Sequence, residues 1–312
     1  MRILIWHVHG AWTTAFVHGR HEYLIPTLPD RSADGRGRAR TYRWPERAVE
    51  IGPERMAREP VDVVILQRPC ELDGLAEQWL GGRRPGRDVP AVYVEHNAPQ
   101  GRIADMRHAA ADRPDLTLVH VTHFNALFWD AGTTPVRVIE HGIVDPGYRY
   151  TGALARVAVV INEPRRRGRV TGTDLLPRLA GRVPVDLFGM EAAELGGIED
   201  LPQARLHEAM ARRRVYVHPI RWTSLGLALL EAMHLGMPVV ALATTEVVEA
   251  VPPEAGVLST RVDTLLDAAA RLVEDPEQAR LMGKAARAAA LARYGLDRFL
   301  ADWDALLAEV AR

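Results

Sequence analysis

Short apolar runs rich in valine, isoleucine and leucine recur along the chain, each followed by a stretch with helical spacing. In the first half the runs are residues 2–8, 61–66, 91–95, 116–121 and 136–139. They are apolar on both faces, the pattern of parallel strands covered by helices on either side. The stretches 46–57, 72–80 and 124–130 read as helices between them. Residues 30–43, with five arginines, and the Gly/Pro/Arg-rich residues 81–90 read as exposed loops. The segment 143–152 carries Pro146, Gly147, Tyr148, Tyr150 and Gly152, as an ordered linker would. After it the alternation restarts: strands 157–161, 184–188, 215–218 and 238–242 with helices 172–179, 201–212 and 225–235. Helical stretches 261–274 and 276–310, the latter interrupted near Tyr294-Gly295, close the chain. Two successive alternations predict two doubly wound α/β domains, and no repeat of about 20–50 residues competes with that reading.

At 312 residues there is room for two domains of about 150 each. A formal net charge of -1 argues against a partner bound through phosphate neutralisation, so no nucleic acid is expected. Cys70 is the only cysteine, which excludes an internal disulfide and a cysteine-rich metal site and suits a reducing cytoplasm. The opening apolar run is short and meets His9-Gly10 with no small-residue cleavage site, so it reads as a buried strand rather than a targeting segment. No apolar run approaches the ~20 residues of a membrane helix. Lys284 is the only lysine among 39 basic residues, so a phosphate clamp here must be built from arginine or backbone N–H groups.

The most informative segment is 215–241, VYVHPIRWTSLGLALLEAMHLGMPVVA. It reads as strand, loop, helix, Gly-Met-Pro turn and strand. Thr223 or Ser224 is placed to cap the helix, and Gly226 leaves the first amides open to an anion. Glu231 stands among Leu229, Leu230, Ala232 and Met233, where a carboxylate needs a partner such as two ribose hydroxyls. On the residues alone, a capped helix with one solvent-facing glutamate fits equally well. The run Arg165, Arg166, Arg167, Gly168, Arg169 follows strand 157–161 and opens a helix, so it is either a phosphate clamp or a solvated basic turn.

The segment resembles the donor-domain signature of the retaining glycosyltransferases of family 4, with the GT-B fold. That signature is Glu-Gly-Phe-Gly-Leu-x-x-Leu-Glu-Ala-Met followed by Gly-x-Pro-Val-Val-Ala. Gly226, Leu227, Leu230, Glu231, Ala232, Met233, Gly236, Pro238, Val239, Val240 and Ala241 match it. Asp186-Leu187-Phe188-Gly189 and the closing stretch 294–310 extend the likeness. The first half matches more loosely, at Gly10, His96 and Glu140-His141-Gly142. The resemblance implies two Rossmann-like domains facing a central cleft: residues 1–148 for the acceptor, 149–292 for the donor, and 293–312 as a helix crossing back to the first domain. It puts Glu231 on the ribose, and Phe188 and Gly189 beside the base. Gly10, Gly226, Leu227 and the arginines 165, 166, 167 and 169 would hold the diphosphate. His96 and Thr223 would orient the sugar as catalytic residues, and Trp12, His18, Gln67, Arg68 and Asn97 would face the acceptor. Two positions depart from the family: its first glutamate is Thr223 here, and its diphosphate lysine falls near Thr171.

The activity this implies is transfer of a sugar from a nucleoside diphosphate sugar to an acceptor hydroxyl, with retention at the anomeric carbon. The alternative is a non-catalytic glycosyltransferase-like protein that binds nucleotide or stabilises a partner, which the two departures motivate. An epimerase lacks its carboxylate set, and a phosphorylase is usually much longer. No cofactor is expected beyond the nucleotide sugar as substrate. Nor is a metal, since the twelve histidines show no zinc spacing. Gly10–Thr14 lacks the second and third glycines of a dinucleotide fingerprint and reads as a turn near the phosphates or the acceptor. The oligomeric state, base, sugar and acceptor stay open.

Overall fold

The computed structural model describes every residue from Met1 to Arg312. The chain forms two compact units, Met1–Gly142 with Leu296–Arg312, and Ile143–Gly295. The first unit contains β1 (Arg2–Ile5), α1 (Gly10–Val17), β2 (Glu22–Pro26), β3 (Ala48–Ile51), α2 (Pro53–Met56) and β4 (Val63–Leu66). It continues with α3 (Ala76–Trp79), β5 (Ala91–Glu95), β6 (Thr117–His120), α4 (His123–Phe128) and β7 (Val136–Val138). All seven strands are parallel, in the order β3-β2-β1-β4-β5-β6-β7. β4 and β5 are buried along their whole length, as strands covered on both faces must be. In the C-terminal helix, Leu296–Val310, the buried residues Phe299, Trp303, Leu306 and Leu307 recur at helical intervals and form one apolar stripe. Phe299 and Trp303 meet the ring of Trp12 edge-on at 6.1 and 5.6 Å between centres, and Trp12 stacks on Phe16 at 5.0 Å.

Two expectations fail in this unit. Residues 46–57 are not one helix: Ala48–Ile51 pairs with β2 as an edge strand, and only Pro53–Met56 is helical. Burying Ala48 and Ile51 against the sheet outweighs the helical spacing, and Gly52-Pro53 ends the strand. Gly10–Thr14 is not a turn but the start of α1, where the Thr14 hydroxyl donates to the Gly10 carbonyl at 2.7 Å. Strand β2 had no sequence expectation, and 72–80 divides into a wide turn at Glu71–Leu75, broken at Asp73 and Gly74, and α3.

The second unit runs β8 (Leu154–Val160), α5 (Pro164–Arg167), α6 (Leu176–Ala180), β9 (Val185–Phe188), α7 (Gln203–Ala211), β10 (Arg213–His218) and α8 (Leu227–Leu235). Then come β11 (Val239–Leu242), α9 (Val247–Ala250), β12 (Gly256–Ser259), α10 (Val262–Glu274) and α11 (Pro276–Tyr294). Its five strands are parallel in the order β12-β11-β10-β8-β9. Alternate side chains feed two cores: Ala158, Val160, Tyr216, Val239 and Ala241 pack with α8, and Val157, Val159, Val215, Val217 and Val240 with α10. No helix is long and apolar enough to cross a membrane.

Phe299→Ala should lower the stability of the first unit by about 3–5 kcal/mol, the scale of a buried phenylalanine truncation. Leu281→Ala, at a position 55% exposed, should change stability by less than about 0.5 kcal/mol. Urea unfolding followed by tryptophan fluorescence checks both. A Phe299→Ala midpoint equal to the parent's would contradict the packing described.

Candidate functional site

Parallel strands deliver every following loop to the same edge of a sheet, and ligands bind where the strand order reverses. In the second unit that reversal lies between β8 and β10. The loop after β8 carries the arginines and the loop after β10 leads into α8. The two are tied together. The Arg221 amide donates to the Val170 carbonyl at 2.9 Å, and the Arg221 guanidinium reaches Asp174 at 2.9 Å. Gly172 sits at φ +74°, and a Cβ there would lie 2.0 Å from the Pro219 carbonyl oxygen, so only glycine permits this approach.

Helix α8 begins at Leu227 with Gly226 at the cap position and no side-chain cap. Neither Thr223 nor Ser224 is the cap residue, because the helix starts four and three residues beyond them; Ser224 is buried and Thr223 half-buried. The first amides of a nine-residue helix thus remain open, a positive end suited to an anion. Gly226 lies on the ring of His218, where a Cβ would come within 2.4 Å of Cε1. The Tyr216 hydroxyl lies 3.2 Å from His218 Nδ1, and Nε2 is buried without a partner. Burial pulls the His218 pKa down to about 4, so its ring is neutral.

The four arginines are not equivalent. Arg165 pairs with Glu194 at 3.0 Å, Arg166 with Glu163, and Arg169 with Asp174 at 3.1 Å, all three exposed. Arg167 is half-buried and makes no salt bridge, with Glu163 acting on it only at longer range. Burial, then the neighbouring Arg166, lowers its pKa from the ordinary arginine value. A guanidinium stays protonated even so, and an unpaired one losing water wants an anion. Thr171, at the position of the family lysine, is fully buried and holds the loop by contacts to the Gly168 carbonyl and the Thr173 hydroxyl at 3.2 and 3.1 Å.

Glu231 is 5% exposed. Its partners come from α7: Gln203 Nε2 donates to Oε1 at 2.8 Å, and His207 Nε2 lies 3.5 Å from Oε2. The partner that a carboxylate in this apolar stretch needs is thus supplied in part by the protein itself, and the solvent-facing alternative does not hold. Sequence reasoning missed Gln203 and His207, although their four-residue spacing on a helix puts both on one face. Phe188 is fully buried with the Arg213 guanidinium 5.1 Å from its ring centre, and Gly189 takes φ +136° against the Ile161 carbonyl.

In the first unit the order reverses between β1 and β4. His96, at the end of β5, is buried with Nε2 3.0 Å from Gln67 Oε1, and the Gln67 amide nitrogen donates to the Trp6 carbonyl at 2.8 Å. His9, just before Gly10, lies over His96 with ring centres 4.0 Å apart. Burial leaves this group neutral: His9 is pulled down to about 4, His141 to about 3, and His96 well below the ordinary value. His9 is half-buried and accessible, a candidate the sequence reading passed over although it adjoins Gly10.

Several expected acceptor residues are placed elsewhere. Trp12 is 1% exposed, enclosed by Phe16, Phe299 and Trp303. His18 lies past the far end of α1, its Nδ1 2.6 Å from the Thr14 carbonyl of its own helix. Arg68 is spent on the buried Glu71 at 2.7 Å and on Asp34 at 3.1 Å. Asn97 is exposed, next in the chain to His96, and its carbonyl accepts from the Trp129 ring at 2.9 Å.

Residues 197–289 match the family described as glycosyl transferases group 1. No curated protein sequence matches the chain. Among solved structures it is similar to sucrose-phosphate synthase from Thermosynechococcus elongatus, at TM-score 0.72 and 14% identity, covering 99% of this chain and 98% of that one. It is also similar to Anabaena HepE in complex with UDP, at TM-score 0.70 and 14% identity over 99% and 100% of the two chains. A glycosyltransferase from Rickettsia africae gives TM-score 0.65 at 12% identity, over 100% and 98%. The fold is the GT-B glycosyltransferase fold, with a parallel sheet in each unit.

The neutral histidines set a pH dependence of stability. His9, His120 and His218 sit at about 4 and His141 at about 3 when folded, below the unfolded value of about 6.5. The unfolded state therefore binds more protons below about pH 6.5, so stability falls as pH drops from there toward 4. Each such histidine contributes up to about 1.4 kcal/mol per pH unit. Urea midpoints at pH 7.5 and 5.0 should show a lower value at pH 5.0; equal midpoints would contradict the neutral assignment.

Proposed function

We propose that the protein transfers a sugar from a nucleoside diphosphate sugar to an acceptor hydroxyl, with retention at the anomeric carbon. The observation that carries this reading is the pairing of an uncapped helix, at Gly226 and Leu227, with the one unpaired arginine of the preceding loop, Arg167, at the strand-order reversal. The likeness to the GT-B fold and the group 1 match at residues 197–289 support it. HepE, which shares the fold, is recorded with UDP, a nucleoside diphosphate of the class proposed here.

In this reading Arg167 and the α8 amides stabilise charge growing on the leaving diphosphate, which is where electrostatic catalysis has most to give. Arg165, Arg166 and Arg169 add long-range positive potential while engaged with their own carboxylates. Glu231 accepts ribose hydroxyls, Phe188 and Gly189 shape the base side, and Thr223 and His96 orient the sugar. His9 and Asn97 contact the acceptor side, with Gly10 presenting the start of α1. Retention follows if the leaving phosphate oxygen itself takes the acceptor proton, so no protein base is required. The neutral low-pKa histidines agree with this, being poor bases. The reading requires no metal, since Arg167 and the helix end offset the diphosphate charge.

A panel of UDP, GDP and TDP sugars tests the reading by thermal shift. A ligand present at a hundred times its dissociation constant adds roughly 2.7 kcal/mol. No shift with any member at millimolar concentration would refute donor binding, and binding without turnover or donor hydrolysis would favour the non-catalytic alternative. Within the loop, Arg167→Ala should weaken nucleoside diphosphate by about 1.5–3 kcal/mol, the worth of a charged hydrogen bond. Arg165→Ala, Arg166→Ala and Arg169→Ala should each cost less, and the nucleoside without phosphates should not respond. Calorimetric titration decides it, and equal small losses at all four would mean a solvated loop. Thr223→Ala should change discrimination among donor sugars while leaving bare nucleotide affinity unchanged; a parallel loss for both would remove Thr223 from the sugar.

A further inference from the structure

A buried carboxylate can serve a diol only if its two oxygens are held with lone pairs left over on the open side. Glu231 lies on α8 with 5% of its surface exposed, and no backbone or side-chain group of α8 is recorded as donating to it. Both of its oxygens are addressed from the neighbouring helix α7 instead. Gln203 Nε2 donates to Oε1 at 2.8 Å, and His207 Nε2 stands 3.5 Å from Oε2. Gln203 and His207 are one helical turn apart, so a single helix face meets the carboxylate, by a hydrogen bond from Gln203 and a longer approach from His207. His207 is 4% exposed, and its Nε2 has no hydrogen-bond partner, so Glu231 is the polar group it has to offer itself to.

We propose that Gln203 and His207 are positioning residues for the donor's ribose: they fix the rotation of the Glu231 carboxylate so that both oxygens face the vicinal hydroxyls together. This rests on the glycosyltransferase reading and goes beyond it by assigning ribose discrimination to α7, a helix outside the signature segment 215–241. A carboxylate has about four lone-pair positions, two on each oxygen. Gln203 occupies one position on Oε1 and His207 stands just beyond hydrogen-bond reach of Oε2, so each oxygen keeps a position for a hydroxyl. That is the arrangement a cis-diol with two O–H donors meets best. Without the grip, the terminal torsion of a glutamate is soft, and its two oxygens would present themselves to one hydroxyl at a time. The 3.5 Å separation at His207 exceeds a good hydrogen bond, so the contact has room to shorten when the diol adds its charge-assisted bonds.

The experiment is a calorimetric titration of the full chain with UDP and GDP and with their 2′,3′-dideoxy counterparts. Parent, Gln203→Ala, His207→Ala and His207→Gln are compared, with circular dichroism and ligand-free melting to establish folding. The proposal expects Gln203→Ala and His207→Ala each to weaken the ribonucleotide by about three- to tenfold, the scale of one hydrogen bond. The dideoxy form should change less than about twofold on the same scale, and His207→Gln, which keeps an N–H at similar reach, should recover most of the loss. A parallel fall for ribo and dideoxy forms would make α7 a merely structural support and overturn the proposal, as would unchanged ribonucleotide affinity in a folded variant. A parent that binds both forms equally would remove Glu231 from the ribose. A parent that binds none of the nucleotides would sink the wider reading itself.

Discussion

The strand-order reversal between β8 and β10 is the constraint on which the functional architecture rests. Because neighbouring crossovers lead away in opposite directions there, no helix covers the carboxyl ends of these two strands. The loops that leave them must pack on each other, which they do through Arg221, Asp174, Val170 and the close approach of Gly172 to Pro219. That packing joins the arginine loop to the loop that leads into α8. Two unsatisfied features stand at this edge, amides without a side-chain cap and a guanidinium in no salt bridge, and the proposed diphosphate site rests on them.

The same economy explains the buried polar groups beneath. Tyr216 and His218 occupy the face of β10 toward α8, and Glu231 extends from α8 toward α7. Each is partly satisfied by a neighbour, with capacity left over: Nε2 on His218, and the remaining lone pairs on Glu231. A polar network left incomplete in the ligand-free protein costs stability, and a ligand's hydroxyls and phosphates can recover that cost. In the first unit the His9–His96–His141 group has a related character, since low pKa values keep the rings neutral and suited to hydroxyl groups.

The buried parallel strands were legible because their apolar runs are short and bounded; residues 91–95 coincide with β5. Residues 46–57 misled, since edge pairing with β2 is a tertiary event that helical spacing does not report. The signature segment announced α8 and Glu231, but a cap cannot be assigned from Thr223 and Ser224 when the loop continues extended through Gly226. Which arginine is free was illegible for a different reason. The partners that neutralise its neighbours, Glu163, Glu194 and Asp174, come from three places whose proximity only the fold creates. Trp12 looked like an acceptor platform because its burial depends on Phe299 and Trp303, far along the chain.

The central claim is that the α8 terminus and Arg167 hold a diphosphate while Glu231 holds the attached ribose. A crystal structure with a bound nucleoside diphosphate tests it most directly. The account predicts phosphate oxygens within hydrogen-bond reach of the Leu227 amide and the Arg167 guanidinium, and both ribose hydroxyls on Glu231. A nucleotide bound elsewhere, or one at this edge with its ribose turned away from Glu231, would contradict it.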